Sequence, residues 1–321
     1  MRPPAGGILP TVLTPLDDDD HLDEAALRAQ LAYFERCGVD GLVVLGSIGE
    51  ASLAPDDLRR RVVEVATSST LPVIVGITEA GTKRAAMQVE EAARLGACAA
   101  LVALPAYYAL SFASVKAHYA ALASVMPTFF YNYPAATHLA LADEEVAELV
   151  AMDGMAGAKE SVFDVDAVEA HVRGVGDLER TFFSGSELSY LALREVGVSG
   201  AVSPGAVFMP RTAVAMHRAA EAGDADAAKA AAKGLFETLP LVADLEAKVS
   251  VVRWSMQAAL RKRQVIETKA DTTIARMKAG LARRGVPMGS RVLPPLPQLS
   301  DRDREAVDAA MTQVLAIEPE S

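Results

Sequence analysis

One of the nine lysines in the chain stands apart from the rest. Lys159 follows the apolar run 155–158, whereas the other eight fall on stretches with helical patterning or at their ends. A lysine at the end of a buried strand keeps its stem in the core and its amine at the strand mouth. Desolvation there lowers its pKa and leaves a free amine able to attack a carbonyl carbon. The position also suits a lysine paired with Glu160 or reaching to solvent, so its neighbours decide the matter. A Schiff base needs proton transfers at the carbinolamine and at the bond being broken, and a phenol within reach can shuttle them. Tyr131 ends another apolar run and can serve, although a core tyrosine with a satisfied hydroxyl fits the same place. Gly46-Ser47-Ile48-Gly49-Glu50 reads as a tight turn. Its backbone N–H groups can hold a carboxylate, with the Ser47 hydroxyl as a further donor or relay.

The elements that would position these residues repeat along the chain. Short apolar, β-prone runs occur at 8–13, 41–45, 72–77, 99–104, 127–131, 155–158, 181–183 and 200–202. Amphipathic helical patterns separate them at 24–36, 55–67, 82–95, 111–125, 143–151, 165–172 and 187–195, and an eighth follows at 209–221. Pro55 suits a first helical turn, and Gly38 and Gly96 suit helix C-terminal caps. Runs that are continuously apolar rather than alternating belong to strands buried on both faces. Eight strand–helix units within 1–222 predict an α/β chain of the (β/α)8 TIM-barrel type, whose usual length is about 250 residues. A doubly wound sheet would carry a Gly-rich phosphate turn after its first strand, and none is present. Residues 223–321 read as a C-terminal helical domain: helices at 224–236, 241–259, 268–284 and 301–315, with a Pro-rich strap before the last.

Composition narrows the function classes. Lys plus Arg number 31 against 42 Asp plus Glu, a net charge of −11. That balance argues against a nucleic-acid groove or an anionic membrane surface as partner. Cys37 and Cys98 make neither a disulfide framework nor a zinc cluster and read as small core residues. Asp17–Asp20 lacks calcium-loop spacing and reads as a solvated loop. Residues 95–115 carry no charge, but Gly96, Pro105 and the pair Tyr107–Tyr108 break the stretch into a helix end, a strand, a loop and a second helix start. No secretory signal is evident, so a cytoplasmic location is expected.

In a barrel, chemistry sits at the C-terminal strand ends. The motifs there are GSIGE at 46–50, PAYY at 105–108, YNYP at 131–134, GAKES at 157–161, SGSE at 184–187 and GVSGAVS at 197–203. In order and spacing they resemble the dihydrodipicolinate synthase / N-acetylneuraminate lyase family of class I pyruvate-dependent aldolases and their dehydratase relatives. The resemblance covers nearly the whole chain and implies specific roles. Lys159 would form the imine with C2 of pyruvate or another 2-keto acid, and Tyr131 would be the proton shuttle. Ser47 would link Tyr131 to Tyr108, the latter reaching in from an adjacent subunit. Backbone N–H groups of Ser47 and Ile48 would hold the carboxylate, with Gly185, Ser186, Glu187 and Val202 about the pocket. Homodimers or homotetramers and no cofactor or metal are implied. Two departures count. Ile48 has no hydroxyl where the synthase pattern has a threonine, and Ala136 stands where the synthase carries a carboxylate-gripping arginine. The acidic pair of the sialic-acid lyase would fall on Glu187 and Leu188, so half is lost. Thr137, His138 and Ser203 remain as polar choices. The expectation is a Schiff-base lyase for a small or hydroxylated 2-keto acid. The alternatives are 4-hydroxy-tetrahydrodipicolinate synthesis proper, a non-catalytic ligand-binding barrel, and a phosphate-binding barrel using the loops after strands 7 and 8.

Overall fold

The computed structural model describes residues 1–162, 164–242 and 272–319. Eight parallel strands follow one another as β1 Gly7–Pro10, β2 Leu42–Val44, β3 Val73–Ile77, β4 Ala99–Ala103, β5 Thr128–Asn132, β6 Met155–Glu160, β7 Thr181–Ser184 and β8 Gly200–Ser203. Each pairs with its sequence neighbours, and β1 pairs with β8. A parallel bridge between Thr11 and Val43, with Val12 N–H donating to Val43 C=O at 2.8 Å, brings β1 against β2. The result is the expected TIM barrel, nearly closed.

Helices pack around it as α1 Glu24–Cys37, α2 Asp56–Ala66, α3 Thr82–Arg94, α4 Phe112–Ala123, α5 Asp143–Ala151, α6 Val165–Gly174, α7 Glu187–Arg194 and α8 Pro210–Glu221. Their ends carry the expected signals. Gly38 closes α1 in the left-handed region at φ 72°, where a side chain would be strained, and donates to Glu35 C=O. Pro55 stands one place earlier than expected, as the N-cap of α2 rather than inside its first turn. Cys37 and Cys98 are buried free thiols, as read from their surroundings.

Two apolar layers account for the double burial of the strands. Outward-facing residues such as Leu42, Val44, Phe130 and Ala158 pack against the helices. Leu9, Val43, Ile74, Leu101, Phe129, Phe183 and Val202 fill the barrel itself, where the rings of Phe129 and Phe183 lie 5.6 Å apart.

After Gly223 the described chain is helical, with α9 Ala225–Leu235, α10 Thr273–Arg283 and α11 Asp301–Ile317. The expected helix 241–259, apart from its first two residues, and residues 268–271 of the next lie outside the described residues. Charged anchors tie these helices down. Arg284 donates to Tyr33 Oη at 2.9 Å and pairs with Glu318 at 2.7 Å. Glu318 in turn accepts from the N–H and hydroxyl of Thr212 at the start of α8. Asp20, read as solvated, is held by Arg291 at 2.5 Å.

Candidate active site

Lys159 lies within β6 rather than at its end, since pairing continues to Glu160. Successive strand residues face opposite sides, and here that separation decides the chemistry. Glu160 points outward, accepting from Asn132 Nδ2 at 2.8 Å and meeting His171 Nδ1 at 3.0 Å. Burial disfavours charge on His171, but Glu160 and Asp143 outweigh it and hold its pKa above the ordinary histidine range. Glu160 is therefore engaged elsewhere, and Lys159 turns into the barrel, only 5% exposed. Desolvation lowers its pKa from 10.5 to about 7. Its Nζ sits 4.1 Å from the centre of the Tyr131 ring, and Tyr131 pairs directly with it in the sheet.

Burial raises the Tyr131 phenol, and the hydroxyls of Ser47 and Ser161 oppose the shift through hydrogen bonds. Tyr133 stacks on the same ring at 5.4 Å. Ser161 lies two residues beyond Lys159 and so on the same face. It is a site residue that sequence reasoning passed over although it belongs to the GAKES motif. Gly185 makes room for it, since a Cβ there would lie 2.2 Å from Ser161 Oγ.

The Gly46–Glu50 turn is braced from three sides. Thr14 Oγ1 donates to Gly49 C=O at 2.8 Å, and Arg59 reaches both Ala51 C=O and Gly76 C=O. Behind the turn Glu50 is buried, paired with Lys278 of α10 at 2.6 Å and accepting from Leu293 N–H at 2.6 Å. Burial lowers the Lys278 pKa, and the adjacent Glu50 carboxylate opposes that. A Cβ on Gly76 would lie 1.9 Å from Leu45 C=O, so only glycine lets β3 pass this close to the turn. Leu45 itself takes φ 52°, a conformation costly for a branched side chain and held by these contacts.

The strand registers sort the barrel interior into layers of four, contributed by alternate strands. Following the pairs from Leu9 through β8, round to β2 and back onto β1, the register advances by eight residues, the stagger of this barrel class. The even strands then place Val43, Leu101, Lys159 and Val202 at one level. The odd strands place Thr11, Gly76, Tyr131 and Gly185 at the next level toward the mouth. Val202 thus shares the level of Lys159, and Gly185, Gly76 and Thr11 lie in the next layer with Tyr131.

The remaining sequence candidates are distributed differently. Ser47 is exposed and Ile48 half-buried at the rim. Ser186 caps α7, its Oγ accepting from Leu188 N–H. Glu187 is only 1% exposed and turns toward β8, accepting from Ser203 Oγ at 2.5 Å and Gly205 N–H at 3.3 Å; burial raises its pKa. Tyr108 is not brought to Ser47 within the chain. It is 68% exposed and packs edge-on against Tyr107 at 4.9 Å. Thr137 bonds to the backbone of Tyr133 and Leu139, and Ala136 and His138 are exposed. Among the described residues no group of acidic, histidine or cysteine side chains could hold a metal, and no helix is long and apolar enough to cross a membrane.

The chain is 30% identical over 317 residues to an uncharacterized DapA-like lyase of Halobacterium salinarum, covering 96% of this chain and 93% of the relative. It is 35% identical over 231 residues to 4-hydroxy-tetrahydrodipicolinate synthase of Xanthomonas axonopodis pv. citri, covering 70% and 76%. The crystal structure of YagE, a prophage protein of E. coli K12 solved with pyruvate, superposes with a TM-score of 0.83 at 22% identity, covering 96% and 98%. Residues 4–268 match the Dihydrodipicolinate synthetase family, and the chain is a member of that lyase family.

Proposed function

We propose that the chain is a Schiff-base lyase that cleaves or dehydrates a 2-keto acid through Lys159. The observation that carries the reading is Lys159 itself: a buried amine, lowered to about 7, against a tyrosine whose hydroxyl meets two others. The unprotonated amine attacks C2 of the keto acid. The carbinolamine hydroxyl leaves as water with the proton of the Tyr131 phenol, giving a protonated imine, an electron sink at C2, and a tyrosinate. In the cleavage of a 4-hydroxy-2-keto acid, Tyr131 takes the proton from the C4 hydroxyl and C3–C4 breaks. The aldehyde leaves while the electron pair passes into the enamine. Protonation at C3 and addition of water then release pyruvate and regenerate the amine.

Synthesis of 4-hydroxy-tetrahydrodipicolinate is the nearest alternative, and Ala136 weighs against it. A second substrate carboxylate would enter with no cation at that place, losing about 2–5 kcal/mol for an unpaired desolvated charge. Poor turnover of pyruvate with aspartate semialdehyde is the expected result. A pure binder would have no use for a desolvated nucleophile. The exposed Tyr107–Tyr108 pair supports a homo-oligomer in which Tyr108 of a second copy completes the relay through Ser47, because two adjacent exposed aromatics suit a covered surface.

Borohydride reduction in the presence of pyruvate, read by intact mass and peptide mapping, tests the proposal. A stable adduct on Lys159 is expected, and Lys159→Ala should abolish turnover while the fold survives. An adduct with a longer 2-keto acid but not with pyruvate would favour the dehydratase form. No adduct with any 2-keto acid overturns the reading.

A further inference from the structure

Thr11 lies in the apolar run 8–13 and stands in the same interior layer as Tyr131. Its Cα pairs with Val43, whose side chain lies inside the barrel, and Leu9 two residues earlier also faces inward. Gly76 and Gly185 complete the layer and contribute no side chain, so of its four residues only Thr11 on β1 and Tyr131 on the opposite strand carry side chains into it. Thr11 is 4% exposed, and its Oγ1 has no hydrogen-bond partner among the described residues. A buried hydroxyl without a partner is costly, and sites built to hydrogen-bond a ligand leave such groups unpaired in the free protein.

The ligand group it awaits follows from what else lies beside it. In the two layers Val43, Leu101, Val202, Gly76 and Gly185 offer no side-chain donor. Lys159 is consumed by the imine, and Tyr131 moves protons. A 2-keto acid tethered at C2 still carries a carboxylate, for which Ile48 and Ala136 supply no side-chain donor either. Thr11 lies beside β2, which runs directly into the Gly46–Gly49 turn and its backbone N–H groups. We propose that the Thr11 hydroxyl is a further substrate-binding residue, donating to the carboxylate of the 2-keto acid held at Lys159. The inference rests on the Schiff-base reading and adds to it the anchor for the acid group.

The test compares wild type, Thr11→Val, Thr11→Ala and Thr11→Ser by borohydride trapping on Lys159 across a pyruvate titration. Methyl pyruvate, which has no free carboxylate, is titrated in parallel. A hydrogen bond to a charged group predicts that Thr11→Val raises the half-saturating pyruvate concentration by roughly 10- to 100-fold. The maximal trapped fraction should hold, and Thr11→Ser should return to within a few-fold of wild type. Methyl pyruvate should respond far less. If valine unsettles the fold, as circular dichroism would show, Thr11→Ala carries the same expectation. An unchanged half-saturation for pyruvate, or an equal rise for both compounds, overturns the role of Thr11 while leaving Lys159 chemistry standing. A wild type that traps no keto acid at all overturns the Schiff-base reading, and this inference falls with it.

Discussion

Burying the Lys159 amine carries a stability cost whose size and pH dependence follow from one number. The Lys159 amine titrates near 10.5 in an unfolded chain and at about 7 in the barrel. Each pKa unit is worth about 1.4 kcal/mol, so holding the charge inside the fold costs about 4–5 kcal/mol. The sign follows from proton counts. Below pH 7 the lysine is charged in both states and the full penalty weighs on the native one. Between 7 and 10.5 the unfolded chain binds the extra proton, so stability climbs with pH. Above 10.5 the amine is neutral in both states and the penalty is gone. Lys159→Met keeps the apolar stem and removes the charge. It should therefore be more stable than wild type by about 4–5 kcal/mol near pH 6, with the gain shrinking toward zero above pH 10.5. Urea denaturation of both proteins at the two ends of this range reads the difference directly. A Lys159→Met protein no more stable than wild type near pH 6 would refute the reasoning. So would a gain of the same size at every pH, which would be better packing alone. The same shift predicts an acid limb in kcat/KM centred near pH 7, since the free enzyme must present an unprotonated amine.

Other expectations attach to single contacts. Tyr131→Phe should lower kcat by roughly 10²–10⁴-fold while Lys159 still forms a reducible adduct; a change in KM alone would make Tyr131 a binding residue only. Lys278→Met strands the Glu50 carboxylate behind the Gly46–Glu50 turn and should cost about 3–5 kcal/mol in denaturation. The double change Glu50→Gln with Lys278→Met should recover most of that loss, and a double variant as weak as the single would sink the pairing argument. Sedimentation velocity should show an oligomer, and Tyr108→Phe should lower kcat in it. A fully active monomer would remove Tyr108 from the relay.

How far the sequence could be read depended on whether a feature is local or belongs to the register. The strands were visible because burial on both faces leaves continuous apolar runs. Lys159 was visible because a cation beside such a run is out of place. Its partner is ambiguous from sequence alone, because Glu160 is adjacent; only the alternation of strand faces sends that carboxylate outward to Asn132 and His171. The direction of Glu187 depends on its element in a related way. It follows Ser186 in a loop motif, but once Ser186 caps α7 the next residue is already in a helical turn directed at Ser203. Thr11 could not be found by any local pattern, since it sits in an unremarkable Pro-Thr-Val segment. What makes it matter is the eight-residue stagger, which sets it opposite a tyrosine 120 positions away and between two glycines from other strands. Those glycines are equally mute in sequence, because a glycine in a strand signals a close backbone approach without saying to what. In the barrel, Gly76 lets β3 pass under Leu45, and Gly185 leaves room for Ser161. Both are required by a neighbouring strand. The candidate nucleophile is thus legible in a single strand, while the layer of residues that faces it is a property of how eight strands are staggered.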